Sequence, residues 1–202
     1  MPISRETIRQ MWTAMRAMAI VTVLLGVAYP FVVTITCQVA FPVLAHGSLL
    51  TVDGTTVGSS LMGQSFADSN GNALPEWFQS RPSAAGYNGQ ASRGSNYGPE
   101  NANLVSDIES RLAAIAALEG VDVGSIPADA VTASASGLDP HISPEYAYLQ
   151  VSRVAEARGM STREVQALVE SMIEGRDAGF LGEPRVNVVE LNVALEALDA
   201  ED

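Results

Sequence analysis

One membrane-spanning helix followed by a single extracytoplasmic, helix-rich α+β domain is the architecture that this 202-residue sequence predicts. Three observations predict it. No residue from Ala17 to Val52 carries a formal charge. Arg5, Arg9 and Arg16 precede that stretch, opposed only by Glu6. Behind it the chain turns acidic and amphipathic: residues 1–50 carry a net +2, which leaves −14 of the chain's −12 for the remainder.

The span comes first. A bilayer's hydrocarbon core takes roughly 20 apolar residues at about 1.5 Å each. Ala17–Val33, extended by Thr34–Phe41, is long enough. The arginines in front orient the N-terminus toward the cytoplasm by the positive-inside rule. The expected divisions are therefore a cytoplasmic segment 1–16, a span 17–41 and an outer domain 42–202. Pro30 lies well inside the span. A proline there removes one backbone donor, and neighbouring helices repair such a gap in a membrane. Pro30 and the small Gly26 beside it thus mark a face for a partner helix. A cleaved signal peptide has a shorter apolar core and a small-residue cleavage site, and the bonds near Ala40 and Ala45 match that site poorly. A lipoprotein signal needs a leucine and a small residue ahead of its cysteine, where this chain has Thr34 and Thr36 before Cys37.

Composition excludes several chemistries. All eleven basic residues are arginine. Without lysine there is no P-loop lysine, no Schiff-base lysine, no Ser-Lys dyad and no phosphorylation motif of a P-type ATPase. The single cysteine excludes an intramolecular disulfide framework. A domain of net charge −14 repels nucleic-acid phosphates, so no nucleic-acid partner is expected. The same charge either keeps the domain soluble or concentrates cations near it.

Along the outer domain, Leu49–Val52 and Thr55–Val57 flank Asp53-Gly54 and read as a β-hairpin with a type I′ turn. Residues 58–99 are rich in Gly, Ser, Asn and Pro, yet carry Phe66, Trp77, Phe78, Tyr87 and Tyr97. Aromatic anchors at that density predict an ordered loop lying on the domain or on a partner. Leu104, Ile108, Leu112 and Ile115 form one stripe of a helix over 101–119 that Gly120 caps. Ser143-Pro144 starts the next helix, which Gly159 ends. Ser161 and Glu164 make a capping box for a third, with Val165, Leu168, Val169, Met172 and Ile173 at helical spacing. A short strand over 186–188 and a last helix through Leu191, Leu195 and Leu198 complete the chain.

Few residues suggest catalysis. Asp139-Pro140-His141, with Ser134, Ser136 and Ser143 nearby, could be read as part of a triad. An Asp and a His two apart on a proline turn are not expected to face each other, so these residues are expected to order the turn before a capped helix. The glycine-rich 58–64 segment lacks a following lysine and a helix, so a close-packing turn is favoured over a phosphate cradle. Arg81 and Arg93 sit on polar loops, either paired with the domain's carboxylates or docked to a partner.

Taken together, several segments resemble one family. They are Tyr29-Pro30, Gly47-Ser48-Leu49, Gly63-Gln64-Ser65-Phe66, Arg81-Pro82-Ser83-Ala84, Gly94-Ser95-Asn96, the Val131–Asp139 run, Gln150–Ala155 and the Pro184–Asn192 run. They resemble the C subunit of the Kdp-type potassium-transporting P-type ATPase, nearly end to end. The 68–77 loop and Cys37 fall outside that pattern.

The resemblance implies a non-catalytic subunit of an inner-membrane complex that uses ATP and K+. Its implied partners are a channel-like potassium-translocating subunit, an ATP-hydrolysing P-type subunit and a small single-span stabilising subunit. Members of the family are described as catalytic chaperones that raise ATP affinity of the hydrolysing subunit. An outer domain stands about 30 Å of hydrocarbon away from cytoplasmic nucleotide, which favours coupling through the complex over direct contact. No catalytic residue, metal ligand or bound cofactor is assigned to this chain. Gln150 is the one candidate for nucleotide contact. Partner-contact candidates are Gly26, Pro30, Gln64, Arg81, Ser83, Tyr87, Ser95, Asn96, Ser136, Asp139 and Asn187. The competing readings are a membrane-anchored hydrolase using Ser136, Asp139 and His141, and an anchored solute-binding module.

Overall fold

The computed structural model describes residues 4–199. The chain divides into two compact units, Met1–Ser48 and Leu49–Asp202.

The first unit is built on one continuous helical rod, Arg5–Ala40, of 36 residues. At 1.5 Å per residue it is about 54 Å long, more than the hydrocarbon core requires. Its start is capped by Ser4, whose hydroxyl accepts from the Thr7 N–H. The helix therefore begins well before the uncharged stretch and carries all three N-terminal arginines. Arg16 lies over the Trp12 ring at 5.2 Å, a cation–π contact one turn apart. The rod runs as α1 (Arg5–Val23), a π-helical segment (Leu24–Ala28) and α2 (Tyr29–Ala40). Pro30 does not break it. The ladder widens instead, and the Tyr29 N–H donates to Leu24 O, five residues back. Phe41, kept out of the helical region before Pro42, ends the rod. A single turn, α3 (Pro42–Ala45), follows.

The second unit begins with the expected hairpin, β1 (Leu49–Val52) and β2 (Thr55–Ser59). Asp53 and Gly54 both have positive φ, as a type I′ turn demands. A bulge shifts the register between Leu50 and Thr51. Helix α4 (Ala102–Glu119) is capped by Asn101 and closed by left-handed Gly120. A short turn of helix, α5 (Ala128–Val131), precedes β3 (His141–Ile142). Helix α6 (Pro144–Arg158) has Ser143 at its N-cap and Gly159 past its end. Helix α7 (Thr162–Ser171) carries both halves of the Ser161–Glu164 capping box. Strands β4 (Ile173–Glu174) and β5 (Arg185–Asn187) join β3 in an antiparallel sheet of order β3-β5-β4. Helix α8 (Val188–Asp199) follows directly.

Two sequence expectations shift here. Ile173 does not extend α7 but pairs with Val186 across the sheet. Strand β5 ends at Asn187, whose side-chain oxygen accepts from the Val189 and Glu190 N–H groups and so starts α8 one residue early.

The core gathers Ala147, Val151 and Val154 from α6, Val165 and Val169 from α7, Val186 from β5 and Leu191 and Leu195 from α8. Ile108, Leu112 and Ile115 of α4 pack against it, as their stripe predicts, whereas Leu104 does not join them. One more side chain fills the core from an aperiodic segment: Phe78 is wholly buried. That residue leads to the main feature of the domain.

Candidate functional site

Segment 75–79 has no regular secondary structure, and polar side chains from two helices, α6 and α8, hold it. The Asn192 side chain accepts from the Phe78 N–H at 3.0 Å and donates to the Phe78 carbonyl at 3.0 Å. Gln150 treats the next peptide the same way. Its oxygen accepts from the Gln79 N–H at 2.6 Å and its amide donates to Gln79 O at 3.2 Å. Two side-chain amides thus replace the ladder that a neighbouring strand would supply. Arg153 donates to the carbonyls of Pro75 and Trp77, to Gln150 and to the Glu119 carboxylate. Arg158 stacks on the Trp77 ring at 4.3 Å, donates to Glu76 O and pairs with Glu196 and Asp199. Burial holds the Glu119 carboxyl above the usual carboxylate range, while the Arg153 charge and hydrogen bond pull it back down.

The second arrangement lies where loop 80–96 meets loop 132–141. The Ser83 hydroxyl donates to Gly137 O at 2.6 Å and accepts from the Ala85 and Tyr87 N–H groups. The Tyr87 hydroxyl donates to Arg81 O, and burial pushes its pKa up to about 12. Arg81 pairs with Asp139 at 3.1 Å and reaches Thr132 O. Gln64 bridges inward, donating to Val57 O and accepting from the Ser80 hydroxyl through its backbone carbonyl. Glycines let these strands of loop touch. A Cβ on Gly63 would stand 2.7 Å from Asp139 O, and one on Gly137 2.6 Å from Arg93 O. The glycine-rich 58–64 segment is thus a close-packing turn.

Asp139 and His141 do face each other, contrary to the sequence expectation. The ring Nδ1 is 3.2 Å from Asp139 Oδ1, and the His141 N–H donates to the same oxygen at 3.1 Å. The His141 backbone N–H and ring both meet one carboxylate oxygen, an arrangement that spacing alone does not reveal. Burial raises the Asp139 pKa, but the His141 hydrogen bonds and the Arg81 charge outweigh it and leave the carboxyl below its ordinary value. The neighbouring serines are engaged elsewhere. Ser134 accepts from Gly137 N–H, Ser136 from Leu138 N–H, and Ser143 caps α6 while donating to Asp129.

Residues 11–197 match the family described as K+-transporting ATPase, c chain. The chain belongs to the KdpC family. A potassium-transporting ATPase KdpC subunit of Dechloromonas aromatica (strain RCB) is 48% identical over 188 residues, 92% of this chain and 95% of that one. Its counterpart in Herpetosiphon aurantiacus is 49% identical over 192 residues, covering 94% and 96%. One from Caulobacter vibrioides is 50% identical over 187 residues, covering 91% of each. A 36-residue helix with a stretch apolar and long enough to cross a membrane, in a transporter-subunit family, supports a membrane-anchored chain.

Within this KdpC-family domain the residues singled out in the sequence fall into four groups. Gln64, Arg81, Ser83, Tyr87, Ser136 and Asp139 come together in the loop-on-loop contact. Asn187 stands apart, capping α8 and donating to Ser60 O at 2.7 Å. Ser95 and Asn96 lie exposed beside Gly94, which packs on Ala135. Gln150 is fully buried and its amide is engaged on both sides, so it presents nothing to solvent. Asn192, Arg153 and Arg158 were not singled out in the sequence. Asn192 and Gln150 sit on the buried stripes of their helices, and a polar residue at such a position is the signal that a partner must exist.

Proposed function

We propose that this chain is the non-catalytic assembly subunit of an ATP-driven potassium uptake complex. Its helix anchors it in the cell membrane with the N-terminus in the cytoplasm, and the acidic domain lies on the outer side. It stabilises the channel-like potassium-translocating subunit and the ATP-hydrolysing P-type subunit, together with the small single-span subunit. The observation that carries this reading is the pairing of one 36-residue helix, apolar over a membrane-spanning length, with a separate compact unit, in a family named as a subunit of the K+-transporting ATPase. Any effect on ATP affinity travels by coupling between subunits. The buried, doubly bonded amide of Gln150 supports that route over direct contact. Of the candidate contact residues, the exposed Ser95 and Asn96 have surface to offer a partner as folded, whereas Arg81, Ser83 and Tyr87 shape the loop-on-loop contact.

The test is copurification in mild detergent with the other three subunits coexpressed. Stoichiometric recovery is expected for the native chain, and equally for Ser136→Ala and His141→Ala. A native chain that elutes alone would sink the reading. A hydrolytic activity lost in either variant would favour the anchored hydrolase. Orientation is read from reporters fused after Asp202: one that works only outside the cytoplasm should be active, and activity of a cytoplasm-only reporter would reverse the topology.

A further inference from the structure

The π-helical segment leaves a backbone acceptor without a donor in the middle of the apolar rod. In an unbroken α-helix the Leu25 carbonyl accepts from the Tyr29 N–H. Here that N–H donates to Leu24 O instead. The donor at the π spacing would be residue 30, which is proline and has no N–H. Leu25 O therefore has no donor at either spacing. An unpaired carbonyl in hydrocarbon is costly, because no water is there to take the place of the missing N–H.

A second feature lies on the same face. Thr13 and Thr36 return their hydroxyls to their own helix, on Arg9 O and Val32 O. The Thr22 hydroxyl has no such partner among the described residues. Thr22, Leu25, Gly26 and Tyr29 follow at spacings of three and four, which stack on one side of a helix. A Cβ placed on Gly26 would be 3.8 Å from Thr22 Cγ2 and meet nothing else, so this side is open to close approach.

We infer that this face seats one transmembrane helix of a partner subunit, and that a hydroxyl or amide N–H on that helix donates to the Leu25 carbonyl. The inference rests on the subunit reading above. Complementarity of partial charge selects the occupant: a bare carbonyl oxygen attracts a donor, and lipid tails carry none. The absence of a side chain at Gly26 allows the approach that such a bond requires. Pro30 is then the residue that creates the acceptor, since it withholds the N–H that would otherwise restore the regular ladder.

The experiment uses the full chain, alone in bilayers and assembled with the three other subunits, which are expressed separately and unlabelled. Leucine is labelled with 13C at the carbonyl and glycine with 15N. Only Leu25-Gly26 and Leu181-Gly182 then give a coupled pair, and a Leu181→Ile variant assigns them. The Leu25 carbonyl resonance is expected to move downfield on assembly. In parallel, Pro30→Ala should restore the ladder and reduce the fraction retained in the complex by about threefold, the worth of one interhelical hydrogen bond. Gly26→Leu should reduce it further, and Ile20→Leu on the opposite side should leave it unchanged. A native chain that copurifies with an unmoved Leu25 resonance overturns this inference and leaves the subunit reading standing. So does Pro30→Ala retained like the native chain. A resonance already downfield in the isolated chain means that lipid, water or a second copy supplies the donor, and also overturns it. Failure of the native chain to copurify at all sinks the subunit reading itself.

Discussion

The helical core and the 75–79 segment lie in contact, yet opposite physics holds them. Core residues such as Val154, Val165, Leu191 and Leu195 are fully buried and touch other apolar groups. Their attraction is undirected and scales with area, about 25 cal/mol per Å². Segment 75–79 is fixed by Gln150, Arg153, Arg158 and Asn192 through directed bonds to backbone atoms. A core of the first kind tolerates exchange of one apolar residue for another of similar volume. A clamp of the second kind does not, because each lost partner strands a buried group. The difference teaches how a domain orders a long aperiodic loop: apolar helices make the platform, and a few buried polar side chains fix the path of the chain over it.

The largest effect should come from Arg153→Met. The substitution keeps apolar volume but leaves the Glu119 carboxylate, whose side chain is 2% exposed, without its cation. Breaking a buried pair from one side costs about 3–5 kcal/mol, read as a loss in thermal or urea unfolding of the full chain in detergent. The loss should depend on pH. Without Arg153, burial raises the Glu119 pKa further above its unfolded value, so the folded state holds a proton that the unfolded state has released. The penalty is then largest at neutral pH and shrinks as pH falls toward the unfolded value of about 4.3. Adding Glu119→Leu should recover most of the stability at neutral pH. A pH-independent loss that Glu119→Leu fails to reduce would place the worth of Arg153 in its bonds to the Pro75 and Trp77 carbonyls instead.

The clamp and the core can then be compared directly. Leu191→Ala should cost about 2–5 kcal/mol as a cavity. Asn192→Leu, one position along the same helix, adds apolar volume yet strands the Phe78 N–H and carbonyl, at about 1–3 kcal/mol for each buried group. Gln150→Leu strands the adjacent Gln79 peptide in the same way. Because Phe78 and Gln79 are consecutive, the double variant should cost less than the sum, by about 0.5–3 kcal/mol in a double-mutant cycle. Additive losses would mean that the two amides hold the segment independently.

Much of the platform is legible in the sequence, and little of the clamp is. Helices α4, α6 and α7 announce themselves locally, through Asn101, Ser143-Pro144, Ser161 with Glu164, and the glycines at 120 and 159. The hairpin needs only Asp53-Gly54. Signals of this kind lie within a few residues of what they specify. The clamp joins Gln79 to Gln150 and Phe78 to Asn192, pairs 71 and 114 positions apart, and no local pattern encodes such a pairing. The sheet strands β3 and β4 are two residues each, too short to show a period of two, so Ile173 is absorbed into the preceding helical stripe. The meeting of Asp139 with His141 is hidden for a related reason: it sits at the start of β3, a strand that spacing does not announce. The π segment is a tertiary-free consequence of Pro30, yet the sequence does not choose between a kink and a widened turn.

The smallest effect belongs to the loop contact around Asp139, and it separates the two regions by pH. Asp139 lies partly exposed, its side chain 30% accessible, so solvent screens its pairing with Arg81 and the contribution to stability stays within about 1 kcal/mol. Its direction is nonetheless fixed. Burial pushes the carboxyl up, and the His141 hydrogen bonds with the Arg81 charge hold it below its ordinary value. A carboxyl with a depressed folded pKa adds stability above its unfolded pKa, near 3.9, and that stability is lost as pH falls through the lower folded value. Asp139→Asn should therefore lower the melting temperature slightly at neutral pH and make no difference in strong acid. The loop should feel it more than the core does, because the Asp139 side chain ties loop 132–141 to Arg81 of the facing loop. Limited tryptic cleavage after Arg93, on the loop, should quicken in this variant, while cleavage after Arg163 in α7 should stay at the native rate. Equal acceleration at both sites would show that the loop contact and the helical core unfold as one unit.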